Sequence, residues 1–288
     1  MSLSLDDALP EKRAARRSFD RASAFESACF IHDETRARLE ARLDLIRVTP
    51  AVAVDLGCAT GRGAVALAAR YPAARIVAVD SSVGMLRAAA ARAVDPIAVL
   101  GGDAEALPLR TGCADLMLAN LVLPWCRPDR AFKEAARVLA EGGALLFATL
   151  GPDSLQEVRT AFGAGDDRIH VHAAFDMHDL GDLAMAAGLA EPVLDVDRLE
   201  VTYGDVAGLV RDLRAVGAMN VAGGRRRTLT GRHRWDRFAE RLRRGPDGHF
   251  AVTVELILGQ AWAAVRSQSQ GQARARSGCP SSSSAGVR

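Results

Sequence analysis

The sequence predicts an α/β protein: a doubly wound, mostly parallel seven-stranded sheet with a helical insert capping its ligand-binding edge. Three observations predict it. Short apolar runs alternate with helical stretches through residues 51–150, and near-continuous apolar strands belong to a parallel sheet covered on both faces. The first run, AVAVDL, breaks into CATGRG with glycines at 57, 61 and 63, the composition of a tight turn from strand into helix. Finally, residues 204–248 separate the last two strand-like runs and read mainly as helix and basic loop.

Each element follows in order. TRARLEARLDLIR places Leu39, Leu43 and Ile46 at spacings of four and three, one face of a helix. Strands are expected at 51–56, 75–80, 97–100, 114–119, 144–150, 192–203 and 250–262. Helices are expected at 62–70, 83–93 and 129–140, with another in DLGDLAMAAG. The organisation that results is an N-terminal helical cap over 1–34, a core domain over 35–265 with an insert at 204–248, and a tail over 266–288. The polar, low-complexity composition of that tail predicts disorder.

Composition narrows the class. Of 288 residues, 49% are hydrophobic and 25% charged, with a net charge of +2, too small to argue for nucleic acid or a membrane surface. Five cysteines with no CxxC pair fit a reducing compartment rather than a disulfide framework. Cys58, Cys113 and Cys126 read as small core residues. The charged N-terminus lacks the apolar core of a signal peptide, and no apolar run approaches the roughly 18 residues of a membrane span. The expectation is a cytoplasmic monomer with no nucleic-acid or membrane partner.

The glycine turn is neither G-x-G-x-x-G nor a Walker motif, which weakens both phosphate-binding readings. In an open α/β sheet, ligands sit beyond the carboxyl ends of the strands. Three acids stand at three successive strand ends: Asp55, Asp80 and Asp103. Asp55 suits an ammonium, Asp80 suits the two hydroxyls of a ribose, and Asp103 suits an adenine amino group. Together they describe a nucleoside carrying a cationic amino-acid part, and S-adenosylmethionine fits.

VDLGCATG, AVDSSVGMLRAA, GDAEALPL, ADLMLANLVLPWC and RVLAEGGALLFAT resemble the successive motifs of class I S-adenosylmethionine-dependent methyltransferases, a Rossmann-like fold, over residues 50–150. Ala59 stands at the middle glycine of the family's D-x-G-x-G-x-G pattern, which should crowd the methionine end. The resemblance implies cofactor contacts from Asp55, Gly57, Ala59, Gly61, Asp80, Ser81, Met85, Asp103, Ala104 and Asn120.

Outside these motifs, RRSFDRAS, FIHDETRARLEARLDLIR, GPDSLQEVR, DLRAVGAMN, TLTGR and TVELILGQAW are similar to the malonyl-carrier-protein O-methyltransferases of biotin synthesis over residues 12–263. A sister group, the methyltransferase-like assembly factors of respiratory complex I, shares GPDSLQEVR. A catalytically silent, cofactor-binding homologue is the third reading. Ala119 and Pro124 replace the serine and glutamine of the biotin enzymes, and Val254 and Phe25 stand where they carry tyrosine.

The implied reaction is methyl transfer to the free carboxylate of a malonyl thioester, borne by an acyl carrier protein or coenzyme A. A carboxylate is ionised at neutral pH, so positioning rather than a base does the work. Arg16, Arg17, Arg211 and Arg214 are candidate counter-charges, with Arg214 favoured, Asn220 beside it and Trp125 walling the site. Each arginine can equally be a solvated helix residue. The nine arginines between 225 and 244 read as a docking surface for an acidic carrier protein or for coenzyme A phosphates, or as a solvated basic helix. His170, His172 and His178 with Asp176 and Asp179 have the residue types of a metal site. Methyl transfer to a carboxylate needs no metal, and a structural role is expected of these histidines.

Overall fold

A computed structural model describes residues 5–163 and 168–265. The tail over 266–288 lies outside the described residues. Helices α1 (Leu5–Ala8), α2 (Lys12–Asp20) and α3 (Phe30–Leu43) precede the sheet, with a 3-10 turn at Phe25–Ser27. The chain then alternates through β1 (Val52–Leu56), α4 (Arg62–Arg70), β2 (Arg75–Asp80), α5 (Val83–Arg92), β3 (Ile97–Gly101) and β4 (Ala114–Asn120). A second 3-10 turn (Leu123–Trp125) leads to α6 (Pro128–Val138), β5 (Leu139–Leu150), α7 (Gln156–Gly163), α8 (Met177–Ala186) and β6 (Leu189–Tyr203). Helices α9 (Val206–Ala215) and α10 (Arg232–Arg241) come before the last strand, β7 (Phe250–Ala263).

The seven strands lie in the order β3-β2-β1-β4-β5-β7-β6. All neighbours are parallel except β7, which runs antiparallel to β5 and β6. The order reverses between β1 and β4, so the crevice beyond those two strands is the ligand position of a doubly wound sheet. Ala53, Val54, Leu116 and Met117 in these central strands have no accessible surface, as helices on both faces require. At one point the core depends on a missing side chain. Phe147 of β5 pairs with Gly259 of β7, and a Cβ at Gly259 would collide with the Phe147 ring.

Several boundaries differ from expectation. β5 begins at Leu139, not 144: Leu139 pairs with Ala114, and a register shift then brings Ala144 opposite Leu116. Helix α6 therefore ends at Val138 instead of 140. Helix α3 ends at Leu43, so Ile46 leaves the helical face, although it still packs against the core that Leu39 and Leu43 enter. β6 starts at Leu189, with an irregularity between Ala190 and Val193 that its pairing with β7 absorbs.

The insert and the N-terminal segment close over the carboxyl edge. Val206, Leu209, Phe238 and Leu242 of the insert form a small core with Val158, Phe250 and Val252. The N-terminal segment bridges that insert and the strand ends: Glu11 N–H donates to Val221 C=O at 2.9 Å, and Ser18 Oγ to Gly217 C=O at 2.8 Å. Its other end reaches α5, where Asp20 accepts from Ser82 Oγ (2.7 Å) and Gly84 N–H (3.1 Å). Among the described residues no helix is long and apolar enough to cross a membrane.

Candidate active site

The centre of the site is the end of β1. Asp55 is 3% exposed, and its carboxyl points at the first turn of α4, where a Cβ on Gly63 would lie 2.8 Å from Oδ2. Burial pushes this carboxyl up to about 7, against the opposing pull of the Ala64 N–H and the Arg36 charge. Three further groups face the same small cavity of about 40 Å³: Arg36 from α3, Asn120 from the end of β4, and His32. Asp55 Oδ2, Arg36 Nε, Asn120 Oδ1 and His32 Nδ1 are all buried without a hydrogen-bond partner among the described residues. Unpaired buried polar atoms are costly. Four at one strand edge, on an acid, an amide, an imidazole and a guanidinium whose terminal nitrogens already meet Glu40 (2.5 Å) and Asp33 (3.5 Å), match a zwitterionic amino-acid group. The ammonium would meet Asp55 and Asn120, and the carboxylate would meet Arg36.

The turn that shapes this cavity has Gly57 at φ +68° and Ala59 at φ +45°. Ala59 thus takes the left-handed conformation that glycine occupies freely, and its methyl borders the cavity. Its N–H donates to Asp80 Oδ2 at 2.9 Å, while Ser82 N–H donates to Oδ1 at 2.8 Å. Asp80 thereby ties the glycine turn to the start of α5, and burial raises its carboxyl. Gly61 is the left-handed N-cap of α4.

The remaining expected cofactor residues are placed less uniformly. Met85 packs into a cluster with Phe25, Ala28, Cys29 and Val216 of the N-terminal segment and insert. Ala104 is buried beneath the strand ends, and Ser81 is exposed. Asp103 is engaged by the N-terminal segment: Lys12 Nζ lies 2.6 Å from Oδ2, and Glu105 N–H donates to Oδ1. An adenine amino group would share this carboxylate with Lys12.

Beyond His32 opens a much larger cavity of about 290 Å³, bounded by α3, the second 3-10 turn, α7, α9, α10 and β7. Trp125 stands on its wall with its ring edge-on to Phe19 (4.9 Å) and His172 (5.1 Å). Asn220 also lines it, but its amide is committed, donating to Ile169 C=O and accepting from Ala222 N–H. Arg214 does not line it: the side chain lies exposed in the last turn of α9. The cation on the wall is Arg159 of α7, whose guanidinium donates to the carbonyls of Pro152 (2.6 Å) and Ser154 (3.0 Å), just beyond β5. Helical spacing could not have chosen Arg159, because its approach depends on how α7 folds back over that loop. Arg36 and His32 were equally hidden in a charged helix, far in sequence from the turn they face.

The histidine cluster resolves into separate parts. Asp176 is the N-cap of α8, accepting from His178 and Asp179 N–H at 2.8 Å. His178 is exposed. His170 and His172 line the large cavity, on an irregular segment. Burial pushes the His172 and His32 imidazoles down to about 4, so both are neutral at physiological pH. Cys58 and Cys126 are buried and Cys113 partly so, and burial raises the Cys58 and Cys126 thiols. Part of the arginine run is spent internally: Arg225 and Arg227 pair with Glu11, and Arg244 bonds the carbonyls of Gly204 and Gly248.

This sheet order, with an acid-and-glycine turn at the switch point, defines a class I, Rossmann-like methyltransferase that uses S-adenosylmethionine. Residues 54–147 match the family model of the methyltransferase domain. The fold is shared with the YcgJ protein of Bacillus subtilis (TM-score 0.57, 15% identity, 79% of this chain and 98% of that one). It is shared too with Haemonchus contortus phosphoethanolamine N-methyltransferase 2, solved with S-adenosyl-L-methionine (TM-score 0.52, 15% identity, 80% and 53%). Sequence similarity is closer. The malonyl-[acyl-carrier protein] O-methyltransferase of Laribacter hongkongensis is 42% identical over 267 residues, 88% of this chain and 89% of that protein. That of a Methylovorus species is 41% identical over 273 residues, 90% and 92%. The chain belongs to the malonyl-[acyl-carrier protein] O-methyltransferase family.

Proposed function

We propose that this protein methylates the free carboxylate of a malonyl thioester, carried by an acyl carrier protein or coenzyme A, giving the methyl ester at an early step of biotin synthesis. The observation that carries the reading is the joining of two unlike cavities at one residue. His32 lines both the polar cavity at Asp55 and the large apolar one. The names of relatives matched along nearly their whole length support the acceptor, and they do not favour a complex I assembly role.

S-adenosylmethionine, when bound, supplies an electrophilic methyl on a sulfonium sulfur. Asp55, Asn120 and Arg36 would hold its amino-acid end, Asp80 its ribose, and Asp103 its adenine. The chain's remaining task is to bring a carboxylate oxygen to that methyl and keep water out. Arg159 would orient the acceptor carboxylate by its charge. Trp125 and Phe19 would close the wall behind it, and such alignment supplies roughly 7–11 kcal/mol of barrier lowering. His32 and His172, with imidazoles near 4, are poor proton acceptors, which suits an acceptor already ionised.

The test is direct. Purified protein with S-adenosylmethionine and malonyl-carrier protein or malonyl-coenzyme A should give the methyl ester by mass spectrometry, while acetyl thioesters stay unchanged. Cofactor-binding protein that esterifies neither malonyl substrate would overturn the reading.

A further inference from the structure

The large cavity exceeds what a malonyl group needs. That acyl group has six non-hydrogen atoms, and a cavity of ~150 Å³ already holds the six carbons of benzene. The cavity here is about 290 Å³. Its surplus is apolar, with Val158 of α7, Leu209 and Leu213 of α9, Phe238 of α10, and Val252 and Val254 of β7 on its wall.

Most polar side chains on that wall are already spoken for. The exception among the described residues is His32, where the cavity meets the polar one, with its Nδ1 unpartnered. Ser154 Oγ donates to Glu255 C=O and accepts from Glu255 N–H. Asn220 is used at both ends, His172 Nε2 accepts from Val221 N–H at 2.8 Å, and the Tyr203 hydroxyl bonds Asp212. A thioester arm bearing amides would lose its water there and gain little in return. Methylene groups would lose nothing. The charge needed at the far end of such a chain is on Arg159, at the loop beyond β5.

We propose that the enzyme also esterifies longer dicarboxylic acyl thioesters, of five to seven carbons, whose methylenes fill the apolar wall while the terminal carboxylate takes the position of malonyl's. This rests on the carboxyl-methylating reading above. The bond formed joins the carboxylate oxygen to the methyl carbon. The bond broken is that carbon's bond to sulfur, whose electron pair stays on sulfur, and no proton moves.

The experiment compares malonyl, glutaryl, adipyl and pimelyl thioesters of N-acetylcysteamine, with S-adenosylmethionine saturating, by mass spectrometry of the ester. Binding to cofactor-free protein is followed in parallel by the fluorescence of Trp125 and Trp235, which both line the cavity. Each buried methylene is expected to tighten binding about fourfold. A kcat/KM for the five- to seven-carbon substrates above, or within tenfold of, malonyl's supports the proposal, and values more than tenfold lower overturn it. In Val210→Phe, a bulkier wall of the cavity, the ratio of adipyl to malonyl turnover should drop at least tenfold, and an unchanged ratio counts against the proposal. Esterification of malonyl alone sinks this inference and leaves the malonyl reading standing. Esterification of the longer chains alone does the reverse, and no ester at any length removes both.

Discussion

The two cavities that meet at His32 are built on opposite principles. The one at Asp55 is small, and Asp55, Arg36, Asn120 and His32 each turn toward it one buried polar atom without a partner among the described residues. It therefore favours a group that supplies matching charge and hydrogen bonds. The other is several times larger and mainly apolar, its polar side chains mostly satisfied internally. The first selects by chemistry and the second by volume and shape. An unsatisfied buried acid or guanidinium costs more than a spare cubic ångström of apolar space. Donor-site substitutions should therefore be severe and acceptor-site ones graded.

The largest effect is expected from Gly57→Val, which should abolish cofactor binding. The left-handed φ of +68° strains any side chain, and a Cβ would lie 2.8 Å from Val122 Cβ and Cγ2. Calorimetric titration of protein shown to be folded by circular dichroism checks this, and undiminished affinity would place the donor site elsewhere.

Asp55→Asn should follow, with affinity at pH 8 reduced about a hundredfold or more, since the buried ammonium would lose its counter-charge. The wild-type carboxyl titrates near 7 in the folded protein against 3.8 when unexposed to such an environment. The folded state thus holds a proton that the unfolded chain releases. Its stabilising contribution is full below about pH 4 and is lost as the pH rises through 7. Cofactor-free wild type should lose Tm between pH 5 and pH 8 by an increment that Asp55→Asn lacks. Cofactor affinity should rise over the same interval in wild type only. Parallel curves for the two proteins would refute the assignment.

Asp80→Asn should weaken the cofactor about ten- to a hundredfold, the worth of hydrogen bonds to a charged acceptor. A 2′,3′-dideoxy analogue should lose little further affinity on that variant, whereas additive losses would show that Asp80 does not touch the ribose. On the acceptor side, Arg159→Ala should raise the acceptor KM about tenfold with cofactor affinity intact. Arg214→Ala, off the cavity wall, should leave both unchanged, and the opposite pattern in steady-state kinetics would restore Arg214. The smallest effect on binding is expected at Lys12. Its pair with Asp103 is nearly half exposed on both sides, but Lys12 also meets the buried carboxylate of Glu105 at 2.8 Å, which Arg130 still faces at 3.5 Å. Lys12→Met should therefore shift stability by about 1–2 kcal/mol in urea titration, with cofactor affinity little changed.

The acids of the candidate donor half could be picked out in the sequence because they follow strands with unmistakable apolar runs. Asp55, Asp80 and Asp103 could be located by counting along three successive parallel strands, since a parallel sheet brings their ends to one edge. The acceptor half was not legible in that way. Arg214 and Arg159 both lie in amphipathic helices, and periodicity gives each helix a buried face without saying what that face covers. Trp125, expected as a wall, and Asn220, expected beside Arg214, both line the large cavity, yet the amide of Asn220 is spent on Ile169 and Ala222.

What the sequence determined by itself is therefore the sheet, its switch point and the acids at its edge, all set by patterning within short segments. Tertiary structure decided the rest. Arg36 and His32 are brought to Asp55 only when α3 packs under β4. Lys12 reaches Asp103 only because the N-terminal segment bridges insert and sheet. The acceptor cavity exists only as the space left between α7, α9, α10 and β7. Local sequence encodes where a chain bends and which face is apolar. The volume enclosed between elements distant in sequence is fixed by their mutual packing, which no single stretch of the chain contains.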